Sequence, residues 1–306
     1  KIMENHQHEH VHEIKSLDSI FIISIVLNLL FVAIEALVGF TQNSLGLLSD
    51  AGHNLGDVFS LLLALVAFKL ARVRSSEKYT YGYKKSTVLI SLLNAIILLV
   101  AVGAIVVESI HKFTHPEAVN GAAVSWTAGA GIVVNGLTAW LLMKSQKKDL
   151  NVKGAFLHMA ADTLVSVGVV ISGLVMMFTG FYLIDPIISI VIAAVILVST
   201  WKLLSQSVRL SLDGIPESVD MDGVRQAIVS DTDVAGMHHI HVWAISTTEI
   251  ALTAHIVLRP GADMEAVKER VKSRLSRLGI AHATLEVEFE GTPCHDMHCD
   301  CCGGNG

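Results

Sequence analysis

The sequence predicts a helical membrane domain of six spanning helices, followed by a small α+β domain. Three observations support this fold class. Hydrophobic residues make up 52% of the 306 residues and charged residues only 16%, whereas soluble proteins have roughly 45–50% and about 25%. The apolar residues are concentrated in long runs before residue 206. After that position charged residues return, and the pattern becomes that of a soluble domain.

Each predicted span is a mostly apolar run that is long enough to cross a bilayer, which takes roughly 20 helical residues. The joints at 41–44 and 179–182 are so short that the helices they connect must form tight antiparallel hairpins. The six predicted spans are approximately Leu17–Phe40, Leu45–Ala71, Ser86–Ile110, Ala122–Met143, Val152–Phe178 and Leu183–Ser205.

Basic residues are concentrated in two of the connecting loops, and the opposite loops offer almost nothing but Lys112. Loops rich in Lys and Arg remain in the cytoplasm. We therefore expect both termini and the soluble domain in the cytoplasm. As a separate expectation, the membrane is a bacterial cytoplasmic membrane. The basic residues of the two loops are Arg72, Arg74, Lys78, Lys84 and Lys85, then Lys144, Lys147 and Lys148.

Ionisable residues are costly in hydrocarbon and therefore usually functional, and two predicted spans each contain a His followed by an Asp four residues later. His53 and Asp57 lie in the second span, and His158 and Asp162 lie in the fifth. A separation of four residues puts both side chains of a pair on one helix face. Two imidazoles and two carboxylates form a ligand set suited to tetrahedral zinc. A lone His or Asp would more simply satisfy a neighbouring polar group, so the repeated pair is what favours zinc.

Several separated motifs resemble the cation diffusion facilitator family, in particular its bacterial cobalt–zinc–cadmium resistance branch and the animal vesicular zinc transporters. The resemblance covers nearly the whole chain, and the motifs follow the order of the family. They are Ser44–His53, Tyr81–Tyr83, Asn151–Ala155, His238–Trp243 and His282–Glu288.

The resemblance implies that His53, Asp57, His158 and Asp162 form the transport site. It also implies a homodimer in the lipid bilayer that exchanges a divalent cation for protons, with zinc preferred over cadmium because position 53 is His. Some members carry a further metal site made of His residues in the loop after the second span. Residues 72–85 contain no His, so we expect that site to be absent.

The soluble domain is predicted to have the order helix, strand, strand, helix, strand. Alternating or continuous apolar runs indicate the strands, and Arg259–Gly261 marks the turn after the second one. This order agrees with the ferredoxin-like cytoplasmic domain that the resemblance implies. The predicted elements are helix Val219–Ser230, strands His239–Ile245 and Ile250–Leu258, helix Asp263–Leu278 and strand Thr284–Phe289.

The resemblance further implies a regulatory zinc site in this domain, with His238, His255 and Glu288 as ligands. We expect Cys294 to complete it. His241 and His282 are interpreted either as further ligands or as half-buried sheet residues, and the sequence leaves both interpretations open.

By the same resemblance, Lys85 and Asp213 match positions that form a salt bridge between the membrane and soluble parts. Both ends of the chain are rich in metal ligands. We interpret the alternating His residues of segment 6–12 as a weak metal-binding chain and the tail Cys294–Cys302 as a metal-binding segment. The predicted divisions are a His-rich segment (1–16), a transmembrane domain (17–206), a ferredoxin-like domain (207–292) and a Cys/His-rich tail (293–306).

Together these features predict a zinc/proton antiporter that exports Zn²⁺, with Cd²⁺ and Co²⁺ as further candidate substrates. A passive divalent-metal channel and a membrane protein that senses cytoplasmic metal are the alternatives. A channel would need several weak sites along a pore, whereas one four-ligand site favours stepwise carriage. The predicted spans and soluble domain contain no metalloprotease or nucleophile motif, so we expect no enzyme activity. A net charge of −6 without a basic stripe argues against a nucleic-acid partner.

Overall fold

The structure is a computed structural model that describes residues 19–37, 45–114, 121–147, 149–179 and 183–291. For some helical residues in these ranges only the backbone is described. Up to residue 211, the described residues form six long helices. They are α1 (Ser19–Leu37), α2 (Leu45–Ala71), α3 (Ser86–Thr114), α4 (Gly121–Leu142), α5 (Leu150–Thr179) and α6 (Ile184–Ser211).

Three described segments are long and apolar enough to cross a membrane. They are Ser19–Leu37 of α1, Ser86–His111 of α3 and Pro186–Ser211 of α6. Helices α2 and α4 contain shorter apolar stretches, Val58–Ala71 and Gly129–Leu142. The helical core therefore agrees with the predicted membrane domain, and the number of spans stays a prediction.

Helix α6 has two apolar faces with different surroundings. Its buried and its exposed residues each recur at intervals of three or four, so each set forms a stripe along the helix. An outer stripe as apolar as this one suits lipid rather than water. The inner stripe contains Ala193, Ile196, Thr200, Leu203, Ser207 and Leu210, and the outer stripe contains Val191, Val195, Val198 and Trp201.

Helix α5 is central to the packing of the bundle. It lies along α4 and also contacts α2, α3 and α6, while α3 packs along α6. One buried apolar cluster joins α1, α2, α4 and α5, and it includes Phe21, Leu61, Leu142, Val152 and Met159. Any side chain on the inner face of α5 is therefore enclosed by neighbouring helices.

The soluble domain follows the predicted order of elements. It contains α7 (Met221–Val229), β1 (Val234–Ala244), β2 (Ile250–Leu258), α8 (Met264–Arg277) and β3 (Ile280–Phe289). The sheet order is β1-β2-β3, with β1 and β2 antiparallel and β2 and β3 parallel. The C-terminal region is thus a small domain of helices on a sheet, as predicted.

Both helices of this domain begin at an aspartate that caps them. The side chain of Asp220 accepts a hydrogen bond from the Asp222 amide, and that of Asp263 accepts from two amides at the start of α8. The helices pack on one face of the sheet, against alternate residues of β2. These are Leu252, Ala254, Ile256 and Leu258, so His255 belongs to the opposite face.

Several element ends differ from the predicted ones; β3, for example, begins at Ile280 rather than Thr284, and α3 continues to Thr114, past the predicted Ile110. Strand β1 begins at Val234 rather than His239, because main-chain pairing with β2 extends across Gly236 and the His residues that weaken the sequence signal. Helix α6 continues to Ser211, past the predicted Ser205. A helix does not have to end where its apolar run ends, since its backbone hydrogen bonds do not depend on lipid.

An ion pair between a buried carboxylate and an exposed arginine joins the β1 side of the domain to α8. Asp231 is buried, and it accepts hydrogen bonds of 2.8 Å from both Nε and Nη2 of Arg270. The hydrogen bond from Arg270 holds the pKa of the Asp231 carboxyl below its usual value, although burial opposes this effect. Because the folded-state pKa is lowered, the pair stabilises the domain above the ordinary carboxyl pKa near 4, and this is lost as the pH falls through the lowered value.

We expect Asp231→Asn to lower the free energy of unfolding of the fragment 212–291 by about 2 kcal/mol at pH 7, because it removes a charge-assisted hydrogen bond. The difference from wild type should shrink below about pH 3. Urea unfolding at several pH values measures both effects. Glu269→Gln, which changes an exposed carboxylate on α8, is the matched control. An Asp231→Asn fragment as stable as that control would contradict the assignment.

Candidate metal centres

The His–Asp pair of α5 lies inside the helix bundle. His158 is buried, with 5% of its surface exposed, and Asp162 is mostly buried. His158 Nε2 lies 3.8 Å from Asp162 Oδ2. The four-residue spacing therefore brings the two side chains together on one face, as helix geometry requires.

The matching pair of the other helix, His53 and Asp57, belongs to α2, but the two side chains lie outside the described part of the structure. The helices themselves are in contact. Leu61, one turn after Asp57, packs in the same apolar cluster as Met159, the neighbour of His158. The two helix segments that carry the pairs are therefore adjacent.

A second polar contact involves the turn of α2 that carries His53. Asn54, the residue after His53, donates a hydrogen bond of 2.8 Å from Nδ2 to Glu35 Oε2 on α1. Both residues are buried. This contact fixes the rotation of α2 relative to α1 at the turn that carries His53.

Three side chains of the soluble domain converge on the sheet face opposite the helices. His238, His255 and Glu288, here called the His/Glu cluster, offer ligand atoms that all lie within 4.8 Å of one another. His255 Nδ1 lies 2.9 Å from Glu288 Oε1, and His238 Nε2 lies 3.4 Å from Glu288 Oε2. The sheet register explains the convergence, because His238 pairs directly with His255.

The cluster has the donor chemistry of a zinc site, since imidazole nitrogen and carboxylate oxygen are standard zinc ligands. His238 Nε2 is buried and makes no hydrogen bond among the described residues. A buried polar atom without a hydrogen bond is costly. A metal ion held by His238, His255 and Glu288 would satisfy that nitrogen, so the residues fit the ion.

Comparison with known families agrees with both parts of the structure. The profile of the cation efflux transmembrane domain matches residues 21–210, and that of the cation efflux protein cytoplasmic domain matches residues 216–290. The chain belongs to the cation diffusion facilitator family. The resemblance found in the sequence is thereby confirmed, and the protein is an integral membrane protein of a transporter family.

Several relatives align over most of this facilitator. The zinc transporter ZitB of Escherichia coli (strain K12) is 37% identical over 272 residues, covering 88% of this chain and 86% of the relative. The cadmium, cobalt and zinc/H(+)-K(+) antiporter of Bacillus subtilis (strain 168) is 32% identical over 286 residues, covering 92% of each chain. The metal cation efflux system protein CzcD of Cupriavidus metallidurans is 31% identical over 274 residues, covering 89% of this chain and 86% of the relative.

Sequence reasoning missed two residues next to the cluster of this facilitator. His239 has a positive φ of 51° at a register shift between His238 and His241. Its ring lies 5.0 Å from that of His255. Strict alternation would put His239 on the other face, and the bulge returns it to the cluster. Glu286 was missed as well, although its Oε2 lies 3.4 Å from His255 Nε2.

The remaining ligand candidates do not join the cluster in the described structure. His241 and His282 are both exposed, rather than half-buried. The ring of His282 contacts Tyr81 edge-on at 5.7 Å. Cys294, the His-rich segment before residue 19 and the Cys/His-rich tail lie outside the described residues, so their predicted metal binding stays a prediction.

The structure brings Lys85 and Asp213 together. Lys85 Nζ lies 2.5 Å from Asp213 Oδ1 and also donates to the carbonyl oxygens of Leu210 and Ala244 at 2.9 and 3.0 Å. The start of α3 is thereby tied to the end of α6 and to β1. A regulatory role for this salt bridge stays a prediction.

We expect Glu288→Gln to weaken zinc binding by the soluble fragment at least about tenfold, because it removes the carboxylate that contacts both cluster histidines. Competition with a zinc-binding dye measures the affinity. Glu290→Gln on an exposed neighbour of β3 is the control. Equal affinities in the two variants would exclude Glu288 as a ligand.

Proposed function

We propose that the protein exports Zn²⁺ from the cytoplasm in exchange for protons, and that His53, Asp57, His158 and Asp162 hold the ion midway through the membrane. The protein would alternate between a state open to the cytoplasm and one open to the other side. Cd²⁺ and Co²⁺ are further candidate substrates.

The observation that carries this proposal is the buried pair on α5, with His158 Nε2 3.8 Å from Asp162 Oδ2. An imidazole and a carboxylate enclosed by apolar helices lose their hydration, which is costly. Ionisable residues that are kept at such positions are usually functional. Helix α2 packs against α5 and carries the same spacing. Two such pairs supply the four ligands of a tetrahedral ion.

The relatives support the choice of ion and exchange partner. Names such as zinc transporter and cadmium, cobalt and zinc/H(+)-K(+) antiporter describe those proteins. Coverage of about nine-tenths of each chain makes the same activity the most economical proposal for this one. No specific observation favours a passive channel or a metal sensor without transport.

Proton exchange follows from the chemistry of imidazole. Its unperturbed pKa is roughly 6.5, and zinc and a proton compete for the same nitrogen lone pair. Protonation of His53 or His158 from the outer side would release zinc there. Deprotonation toward the cytoplasm would restore the site, so the inward proton gradient drives zinc outward.

The arrangement in the membrane is part of the proposal. It comprises six spans, cytoplasmic termini, a bacterial cytoplasmic membrane, the predicted domain limits and a ferredoxin-like soluble domain. The exposed apolar stripe of α6 and the basic loops support the membrane placement. A homodimer is supported by the family profile of the soluble domain, whose name refers to a dimer.

The His/Glu cluster is proposed as a regulatory site for cytoplasmic zinc. Its support is the convergence of three ligand atoms within 4.8 Å and the buried nitrogen of His238. Zinc bound there would report a high cytoplasmic concentration to the transport domain. The salt bridge between Lys85 and Asp213 would help to join the two domains.

We expect Asp162→Asn to reduce zinc transport into proteoliposomes roughly 100-fold or more. A residue that binds the ion directly should contribute at least as much as the residues that hydrogen-bond to its ligands. Thr163→Val is the matched control, since the Thr163 hydroxyl bonds to Met159 O within its own helix. Both variants should insert into the membrane and elute from a size-exclusion column as the wild-type protein does. Transport near the wild-type rate by Asp162→Asn would remove Asp162 from the site.

Zinc and proton fluxes should be coupled in the wild-type protein. Zinc is added outside proteoliposomes that contain a pH dye. Molecules whose cytoplasmic side faces outward should take up zinc and release protons from the interior, and an acidic interior should accelerate the uptake. Replacing both His53 and His158 by Asp should weaken this coupling, because carboxyl groups have unperturbed pKa values near 4. Zinc movement that is independent of every imposed proton gradient would contradict antiport and favour a channel.

A further inference from the structure

The loop between β1 and β2 contacts the N-terminal ends of two transmembrane-domain helices. We call residues Ser246–Glu249 the β1–β2 turn. The amide of Thr247 donates to Thr87 Oγ1 on α3 at 3.0 Å. The Thr247 hydroxyl donates to Asp149 Oδ2, directly before α5. Lys84 Nζ donates to Glu249 Oε2 at 2.6 Å.

Asp149 uses its two carboxylate oxygens for different partners. Oδ1 accepts hydrogen bonds from the amides of Asn151 at 2.7 Å and Val152 at 3.2 Å, so it caps α5. Oδ2 accepts from Thr247. Asp149 is 6% exposed, and burial raises the pKa of its carboxyl, while the Thr247 hydroxyl acts in the opposite direction. One buried side chain therefore binds both the start of α5 and the soluble domain.

The two elements joined at Asp149 each carry one of the candidate metal centres. Along β2, His255 lies six residues from Glu249 at the end of the turn, which is about 20 Å at roughly 3.3 Å per residue, and His238 on β1 pairs with it. Along α5, His158 lies about 14 Å from Asp149, at 1.5 Å per residue. A hydrogen-bonded strand pair and a single helix are both stiff over such distances.

We infer that Thr247 and Asp149 are positioning residues through which the soluble domain sets the placement of α5 and of the transport ligands His158 and Asp162. This inference rests on the proposed function. It assigns to the β1–β2 turn a role that the salt bridge of Lys85 does not fill, because the partners of Lys85 are Asp213, Leu210 and Ala244, none of which is on α5.

Zinc transport by the full chain in proteoliposomes tests the inference. Thr247→Val keeps the shape of the side chain and removes its hydroxyl, so the KM for zinc should rise about five- to tenfold. Thr247→Ser keeps the hydroxyl and should restore the wild-type KM. Thr248→Val is the matched control, because the Thr248 hydroxyl lies 3.3 Å from Ser246 within the same turn. Its KM should stay within about twofold of wild type.

A double-mutant cycle separates the contact from general damage to the turn. Asp149→Asn still offers an oxygen to cap α5 but is no longer the charged acceptor of the Thr247 hydroxyl. The double variant should therefore have a KM close to that of the more affected single variant. Thermal unfolding of each variant shows whether the fold is kept.

Three results would overturn the inference: a wild-type KM in Thr247→Val, equal KM changes in Thr247→Val and Thr248→Val, or additive effects in the cycle. Each requires that the wild-type protein transports zinc, which is measured in the same preparation. Failure of the proposed function would appear instead as no zinc transport by the wild type or as full activity in Asp162→Asn. The two failures are therefore distinguishable.

Discussion

A carboxylate or imidazole that leaves water for an apolar interior loses its hydration, and other groups must replace it. In this protein that requirement falls on α5, where His158 and Asp162 are enclosed by α2, α3, α4 and α6. The buried apolar cluster beside them includes Leu61 of α2 and Met159 of α5. The same packing holds α2 next to α5. A divalent metal ion placed between the two helices would supply the positive charge that offsets the carboxylates, as the proposed transport site requires.

The same requirement recurs where the soluble domain meets the helices. Asp149 is buried at the start of α5, and its carboxylate is satisfied by two amides of the helix and by the hydroxyl of Thr247. The ammonium group of Lys85 likewise donates hydrogen bonds to one carboxylate and to two carbonyl oxygens of different segments. Both residues join the domains by polar groups that would be costly to leave without partners. The domain junction therefore combines these specific polar contacts with a small apolar cluster of Val88, Leu210 and Ala244.

The His/Glu cluster illustrates how backbone strain accompanies a candidate metal centre. A non-glycine residue with positive φ is uncommon, and His239 adopts this conformation inside a strand. The bulge that results shifts the register of β1 relative to β2 between His238 and His241. It brings the ring of His239 toward His255, on the face that the helices leave uncovered. Strain of this kind persists where the surrounding structure holds it, and here it increases the number of imidazoles near one point.

The sequence by itself determined the helical core, the small C-terminal domain with its order of elements, and the separation of His158 from Asp162. These follow from local rules, because apolar runs, helix periodicity and turn residues act over a few neighbouring positions. It also identified His238, His255 and Glu288, through resemblance. The contact of Thr247 with Asp149 and the approach of His239 and Glu286 to His255 could not be predicted in this way. They join residues distant in the chain, or depend on a bulge that breaks strand alternation, and only the packing of the whole chain decides which of them meet.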